Sequence, residues 1–244
     1  MKLNEMLDIR RGEILDYLYN ITNGIVQHGL FKGIKILKKS KWGDGDLGAK
    51  LLGIYEDELF PILEKVLKDN HDVIVNYGCA EGFYGIGLAK LLPSCKVIMM
   101  DIEPELLKIA EENSILNKLE NVKTSLECNN KLYLENLIVD SSNPFVLMDC
   151  EGYEDFMLDP LEIPSLLKST ILVEMHDCFY PGLTENIIYK FNDTHDLQGI
   201  YQGSKNLHIE PILELSDTDK WIIANENRPK TMHWIYMTPK NKRR

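Results

Sequence analysis

The stretch Val73-Ile74-Val75-Asn76-Tyr77-Gly78-Cys79-Ala80-Glu81-Gly82 decides the fold. Its first half is a short apolar run of strand-forming residues, its second half a turn of small residues bracketed by glycines, and the pattern FYGIGLAKLL that follows is helical. Strand, tight turn and helix in that order open a βαβ unit, whose small turn residues let backbone amides approach a ligand at the helix N-terminus. The alternation continues through KVIMMD, PELLKIAEENSILN and NVKTSL, which gives βαβαβ and so a parallel sheet. The runs FVLMD, TILVEM, HDLQGIY and HWIYMTP extend the strand series to the end of the chain. The expected fold is α/β, a Rossmann-like, mostly parallel sheet with helices on both faces.

Working back from Val73, residues 1–70 read as a helical extension or lid packed on a main domain of residues 71–244. Leu3, Met6, Leu7, Ile14, Leu15 and Leu18 form an apolar stripe that Arg10, Arg11 and Gly12 interrupt, so the segment is one helix or two short ones. A loop, SKWGDGDLG, precedes a second amphipathic pattern between Tyr55 and Lys68.

A chain of 244 residues, 44% hydrophobic and 27% charged, suits one soluble core, and it contains no apolar run of the ~20 residues needed to span a bilayer. The N-terminus mixes acids and bases through its apolar positions, unlike a secretory signal, so a cytoplasmic protein is expected. Five cysteines, odd in number and without a CxxC pair, are expected to be reduced thiols. A net charge of −11 repels polyanions, which argues for a small-molecule acceptor and against nucleic acid; the basic end KNKRR reads as a solvated tail. A homo-oligomer is compatible with all of this.

The glycine spacing differs from the G-x-G-x-x-G of dinucleotide folds. Asp101, at the end of KVIMMD, stands where a carboxylate can accept hydrogen bonds from both hydroxyls of an adenosyl ribose. NAD and S-adenosylmethionine both carry that ribose. Glu81 in the turn opposes a pyrophosphate and favours the ammonium of a methionine tail. The competing reading has Glu81 in solvent and Asp101 merely capping the helix that begins near Pro104.

Loop, ribose acid and following helix resemble the class I S-adenosylmethionine-dependent methyltransferases. FVLMDCEGYEDFMLDP is similar to the D-x-E-G-x-E signature of FkbM-type members, ILVEMHDCFYPG resembles their V-E-x-H-D strand end, and with KFNDTHD the likeness spans roughly residues 50 to 240. The resemblance implies a seven-stranded Rossmann-like sheet and methyl transfer, commonly to a hydroxyl. It places the cofactor against Asn76, Gly78, Cys79, Ala80, Glu81, Gly82, Asp101, Ile102 and Asp149, with Glu127 or Cys128 bordering the adenine. One departure is Asn76, where many members carry an acid; Glu81, Lys50 and Tyr55 are the residues able to supply the missing contact.

Ligands of such sheets bind beyond the carboxyl ends of the strands, which brings forward Asp149, Glu151, Glu174, His176 and Asp177. A hydroxyl acceptor needs a base, and His176 is the first candidate, oriented by Asp177 or Asp149. Glu151 and Glu174 are candidates for acceptor binding, and Glu154 for either acceptor binding or helix capping. His195, Trp42, Trp221 and Trp234 are further candidates for touching the acceptor, although each is more often a packing residue. Asp149, His176 and Asp177 also occupy strand-end positions like those that hold magnesium in catechol-type methyltransferases, but the histidine argues against an all-oxygen magnesium site. The expected activity is O-methylation of a sugar or glycosylated metabolite. The alternatives are a non-catalytic S-adenosylmethionine-binding protein of the same fold and an NAD-linked oxidoreductase.

Overall fold

The computed structural model describes residues 3–40, 46–226, 228 and 230–240. Three helices precede the sheet: α1 (Leu3–Thr22), α2 (Asp46–Leu52) and α3 (Phe60–Val66), the last entered through a 3-10 turn at Asp57–Leu59. Then follow β1 (Val73–Tyr77), α4 (Phe83–Leu91), β2 (Lys96–Met100), α5 (Pro104–Leu116), β3 (Val122–Ser125), α6 (Lys131–Ile138) and β4 (Pro144–Met148). The chain continues as α7 (Glu154–Met157), β5 (Thr170–Met175), α8 (Leu183–Phe191), β6 (His195–Tyr201), α9 (Asp217–Ala224) and β7 (His233–Pro239).

The seven strands form one sheet in the order β3-β2-β1-β4-β5-β7-β6, parallel except for β7, which runs against both β5 and β6. The chain builds outward from β1 to β3, then returns to the other side of β1 with β4. The glycine turn after β1 therefore lies at the point where the strand order reverses, the crevice in which such sheets bind ligands.

Strand side chains alternate between two cores. Ile74, Val97, Met99, Phe145, Leu147 and Leu172 face one cluster, and Val75, Ile98, Met100, Val146, Met148 and Ile171 face the other. α6, α7 and α8 cover the second face. The first face takes α4 and α5 together with Ile14 and Leu18 of α1, Leu47 and Leu51 of α2 and Leu63 of α3, so the N-terminal helices share one continuous core with the sheet.

α1 is a single helix. Gly12 is absorbed within it because the neighbouring arginines make contacts to α9: Arg10 forms a bidentate pair with Asp219 at 2.8 Å, and Arg11 donates to the Ile222 carbonyl at 3.4 Å. The loop expected from Ser40 to Gly48 is helical from Asp46 onward, and Gly48 is required there, since a Cβ would lie 2.5 Å from the Ile223 carbonyl oxygen. Trp42 and the residues after Lys240 lie outside the described residues. No helix among the described residues is long and apolar enough to cross a membrane.

Candidate active site

β1 hands the chain to α4 through strongly constrained backbone. Gly78 has φ +71°, and a Cβ there would sit 1.5 Å from the Asp149 carbonyl oxygen, so only glycine lets the ends of β1 and β4 close together. Gly82, the N-cap of α4, has no side chain to cap with. Asn76 does that work from the strand end, its Oδ1 accepting from the Gly85 amide at 3.0 Å. The amide thereby caps the helix without placing a charge at a fully buried position.

Asp101 accepts from the Ala80 amide at 2.8 Å and from the Glu103 amide at 3.0 Å, so it ties β2 to the glycine turn and to the start of α5 at once. Each oxygen retains a second acceptor position. The cavity beside it, about 580 Å³, is of small-ligand size. Asn76, Gly78, Cys79, Ala80 and Glu81 line one side. Asp101, Ile102 and Cys128 line another, with Asn129 and Tyr153. Gly82 is not among the lining residues, and Glu127 is exposed and accepts from Asn130 Nδ2 at 3.0 Å, which leaves Cys128 as the residue of that pair facing the cavity.

Glu81 is fully buried and paired with Lys50 of α2. Lys50 also donates to Asp46 at 2.5 Å, and its Nζ lies 4.8 Å from the centre of the Tyr55 ring. Burial alone would lower the ammonium pKa, but Asp46 and Glu81 carry it well above its ordinary value. The triad has one net negative charge, and Glu81 Oε2 has no hydrogen-bond partner among the described residues. Lys50 and Tyr55 both line the cavity, so the N-terminal segment forms part of its wall.

At the other end of the cavity stand Asp149 and Glu151, with His176 fully buried behind them. His176 Nδ1 is hydrogen-bonded to Glu154 Oε1 at 2.8 Å, and that carboxylate also accepts from the Cys150 and Gly152 amides. His176 Nε2 lies 3.5 Å from Asp149 Oδ1, 3.4 Å from Glu151 Oε2 and 3.5 Å from Glu174 Oε2. Burial opposes protonation of the ring, but the Glu154 hydrogen bond and the charges of Glu154, Glu174 and Glu151 raise its pKa. Burial, reinforced by Glu174 and Glu56, pushes Asp149 well above the usual carboxylate range.

The sequence profile of the family described as a methyltransferase domain matches residues 68–216, more than half of the chain. The chain belongs to the methyltransferase-domain family. It is an S-adenosylmethionine-dependent methyltransferase, and the matched region contains the glycine turn, Asp101 and the strand-end acids. No match was found among curated proteins. Among solved structures, an assigned O-methyltransferase of Klebsiella pneumoniae is 10% identical with a TM-score of 0.52, over 93% of this chain and 89% of that one. The precorrin-6y C5,15-methyltransferase of Geobacter metallireducens GS-15 is 12% identical with a TM-score of 0.48, over 84% and 94%. At such identities the likeness is one of fold.

Around His176 the methyltransferase departs from the sequence expectations. Asp177 does not orient His176: its carboxylate accepts from the Thr184 amide at 3.1 Å and from the Thr184 hydroxyl, at the start of α8, while Glu154 takes the orienting position. Asp177 is accordingly absent from the convergent donor group, which is Asp149, Glu151 and His176. Glu174 lies behind that group, its Oε1 held by Arg228. Arg228 also grips Glu56 and Glu226, and Glu56, buried beside Glu174, is raised to about 8. No sequence signal could have joined Glu56, Glu174 and Arg228, which come from three distant segments. His195 is a packing residue bonded to the Ser169 carbonyl at 3.1 Å, Trp234 is buried with its Nε1 on Glu56 at 3.2 Å, and Trp221 is exposed on α9.

Proposed function

We propose that this enzyme transfers the methyl group of S-adenosylmethionine to a hydroxyl of a small molecule, such as a sugar or glycosylated metabolite, as FkbM-type methyltransferases do. The supporting observation is that one cavity touches both the Asp101–Ala80 corner and the Asp149–Glu151 pair. The free acceptor positions of Asp101 take the ribose hydroxyls, Cys128 borders the adenine, and the Asp46–Lys50–Glu81 triad engages the amino-acid tail. The residues of 1–70 act as a lid of which Lys50 and Tyr55 are the inner surface.

Bound there, S-adenosylmethionine would supply an electrophilic methyl group for the acceptor oxygen, and the Asp149–His176 group at the acceptor end of the cavity would take the hydroxyl proton. Alignment supplies the larger effect, up to ~7–11 kcal/mol in well-oriented systems, and a positioned base ~10²–10⁴-fold. A net charge of −11 with acids at the cavity mouth suits a small neutral acceptor and disfavours nucleic acid. The setting we expect is the cytoplasm, where the five free cysteines stay reduced.

Calorimetry tests the cofactor site: S-adenosylmethionine and its demethylated product bind, NAD does not, and Asp101→Asn weakens both by ~10–100-fold, the equivalent of one to two charged hydrogen bonds. A panel of hydroxyl, amine and thiol acceptors tests the reaction. Transfer to amines or thiols alone refutes the hydroxyl assignment, and cofactor binding without any transfer favours a non-catalytic protein.

A further inference from the structure

We propose that Asp149, Glu151 and His176 bind one divalent transition-metal cation of the Mn²⁺ or Zn²⁺ class at the acceptor end of the cavity. Their donor atoms all lie within 4.8 Å of one another, with His176 Nε2 at 3.5 Å from Asp149 Oδ1 and 3.4 Å from Glu151 Oε2. Those separations are long for hydrogen bonds. Two ligands bound at ~2.1 Å to one ion lie ~3.0 Å apart at an octahedral angle and ~3.4 Å apart at a tetrahedral one, so a shared ion fits them.

The imidazole gives independent support. His176 is completely buried, yet Nε2 has no hydrogen-bond partner among the described residues, and Asp149 Oδ1 has none either. A buried polar atom left in that condition is costly, and here two such atoms face each other. Glu154 holds Nδ1 at 2.8 Å and is itself anchored by the Cys150 and Gly152 amides. A metal-ligating histidine characteristically donates its other ring N–H to a carboxylate in this way, which fixes the tautomer and aims the free lone pair. With the proton on Nδ1, the Nε2 lone pair faces the Asp149 and Glu151 carboxylates, a donor set open to a cation.

The surrounding charge agrees. Asp149, Glu151, Glu154 and Glu174 crowd one imidazole, and Arg228 is bound to Glu174 through the other carboxylate oxygen, Oε1. The mixed nitrogen and oxygen donors select Mn²⁺ or Zn²⁺ over Mg²⁺, which demands an octahedron of oxygens. Asp149 and Glu151 line the cavity, so the ion's open positions face the acceptor. The binding claim stands alone; its consequence, that the ion holds the acceptor oxygen and that the second Asp149 oxygen takes the proton in place of the metal-bound His176, rests on the methyl-transfer reading above.

The test uses the full chain, stripped with EDTA, without cofactor or acceptor. Mn²⁺ is titrated by the loss of its free electron-paramagnetic-resonance signal and Zn²⁺ by calorimetry, with Mg²⁺ for comparison. One Mn²⁺ or Zn²⁺ binds per chain, Glu151→Gln and Asp149→Asn weaken it at least tenfold, and Asp177→Asn leaves it unchanged. Glu154→Gln, a positioning change, weakens binding ~10–100-fold and leaves the stoichiometry at one. Glu151 is half exposed, so its variant folds and gives a clean reading. Absence of stoichiometric binding, wild-type affinity in Glu151→Gln and Asp149→Asn, or a preference for Mg²⁺ overturns the site. Methyl transfer undiminished in EDTA overturns its acceptor role, whereas metal binding without methyl transfer to any acceptor overturns the hydroxyl reading and leaves the site intact.

Discussion

Replacing Lys50 with methionine removes the only cation of a buried triad and keeps the length of the side chain. Lys50, Asp46 and Glu81 have side chains 4%, 6% and 1% exposed, so solvent cannot replace the lost ammonium. Breaking a buried ion pair from one side costs ~3–5 kcal/mol, and here two carboxylates lose the Lys50 ammonium, one of them already lacking a partner for Oε2. In a chain of this length each kcal/mol moves the melting temperature by ~2–4 °C, so Lys50→Met should melt roughly 10 °C below wild type at pH 7.5. Asp46 and Glu81 hold the Lys50 ammonium above its ordinary pKa against the cost of burial, so the pairing stabilises below the unfolded lysine value of ~10.4 and is lost only as pH rises through the folded one; the deficit of Lys50→Met therefore persists across pH 5–8. The triple variant Asp46→Asn, Lys50→Met, Glu81→Gln recovers most of it, since neutral packing replaces buried charge at little cost. Scanning calorimetry across pH 5–8 is the assay. A Lys50→Met melting point within ~3 °C of wild type anywhere in that range refutes the argument.

The remaining predictions concern the cavity and the base of the sheet. Burial and the Asp101 charge push the Cys128 thiol up to about 12, so iodoacetamide at pH 8 should leave Cys128 intact in the folded chain while modifying the partly exposed Cys178; equal labelling by mass spectrometry contradicts the assigned burial. Partial burial works against Asp72, but hydrogen bonds from Ser141, Ser142 and Asn143 hold its carboxyl well below the usual range. A depressed folded pKa stabilises above the unfolded value and is lost as pH falls through the folded one. Asp72→Asn should thus cost about 1 kcal/mol at pH 7, a modest figure because the group is largely solvated, and the gap should close below pH 4 in urea denaturation; a constant gap refutes it.

Much of the fold was legible because its signals are local. VIVNY, KVIMMD and TILVEM are short apolar runs that only a strand uses well, and the glycine turn sits between a strand and a helix where its conformation is needed. The helices after Asn130 were not singled out. α6, α7 and α9 span only eight, four and eight residues, too short for periodicity to register; α6 and α7 persist because the core on one face of the sheet covers one side of each, and α9 because it packs on α1 and α2. The sequence at the start of α2 favours a loop because Asp46 and Gly48 are poor helix formers, a preference overridden by the Lys50 pairing and by close packing on α9.

By itself the sequence determined that a strand, a glycine turn and a strand-end acid follow one another, and that acids and a histidine end the fourth and fifth strands. Backbone conformation and residue type settle such matters within a few residues. Only the tertiary structure decided which charges meet: that Lys50 of a distant helix answers Glu81, that Glu154 and not Asp177 holds His176, and that Arg228 reaches Glu56 and Glu174. Those choices depend on distances of a few ångströms between segments far apart in the chain. The energies involved are large only because the groups are buried together, and burial is a property of the folded whole.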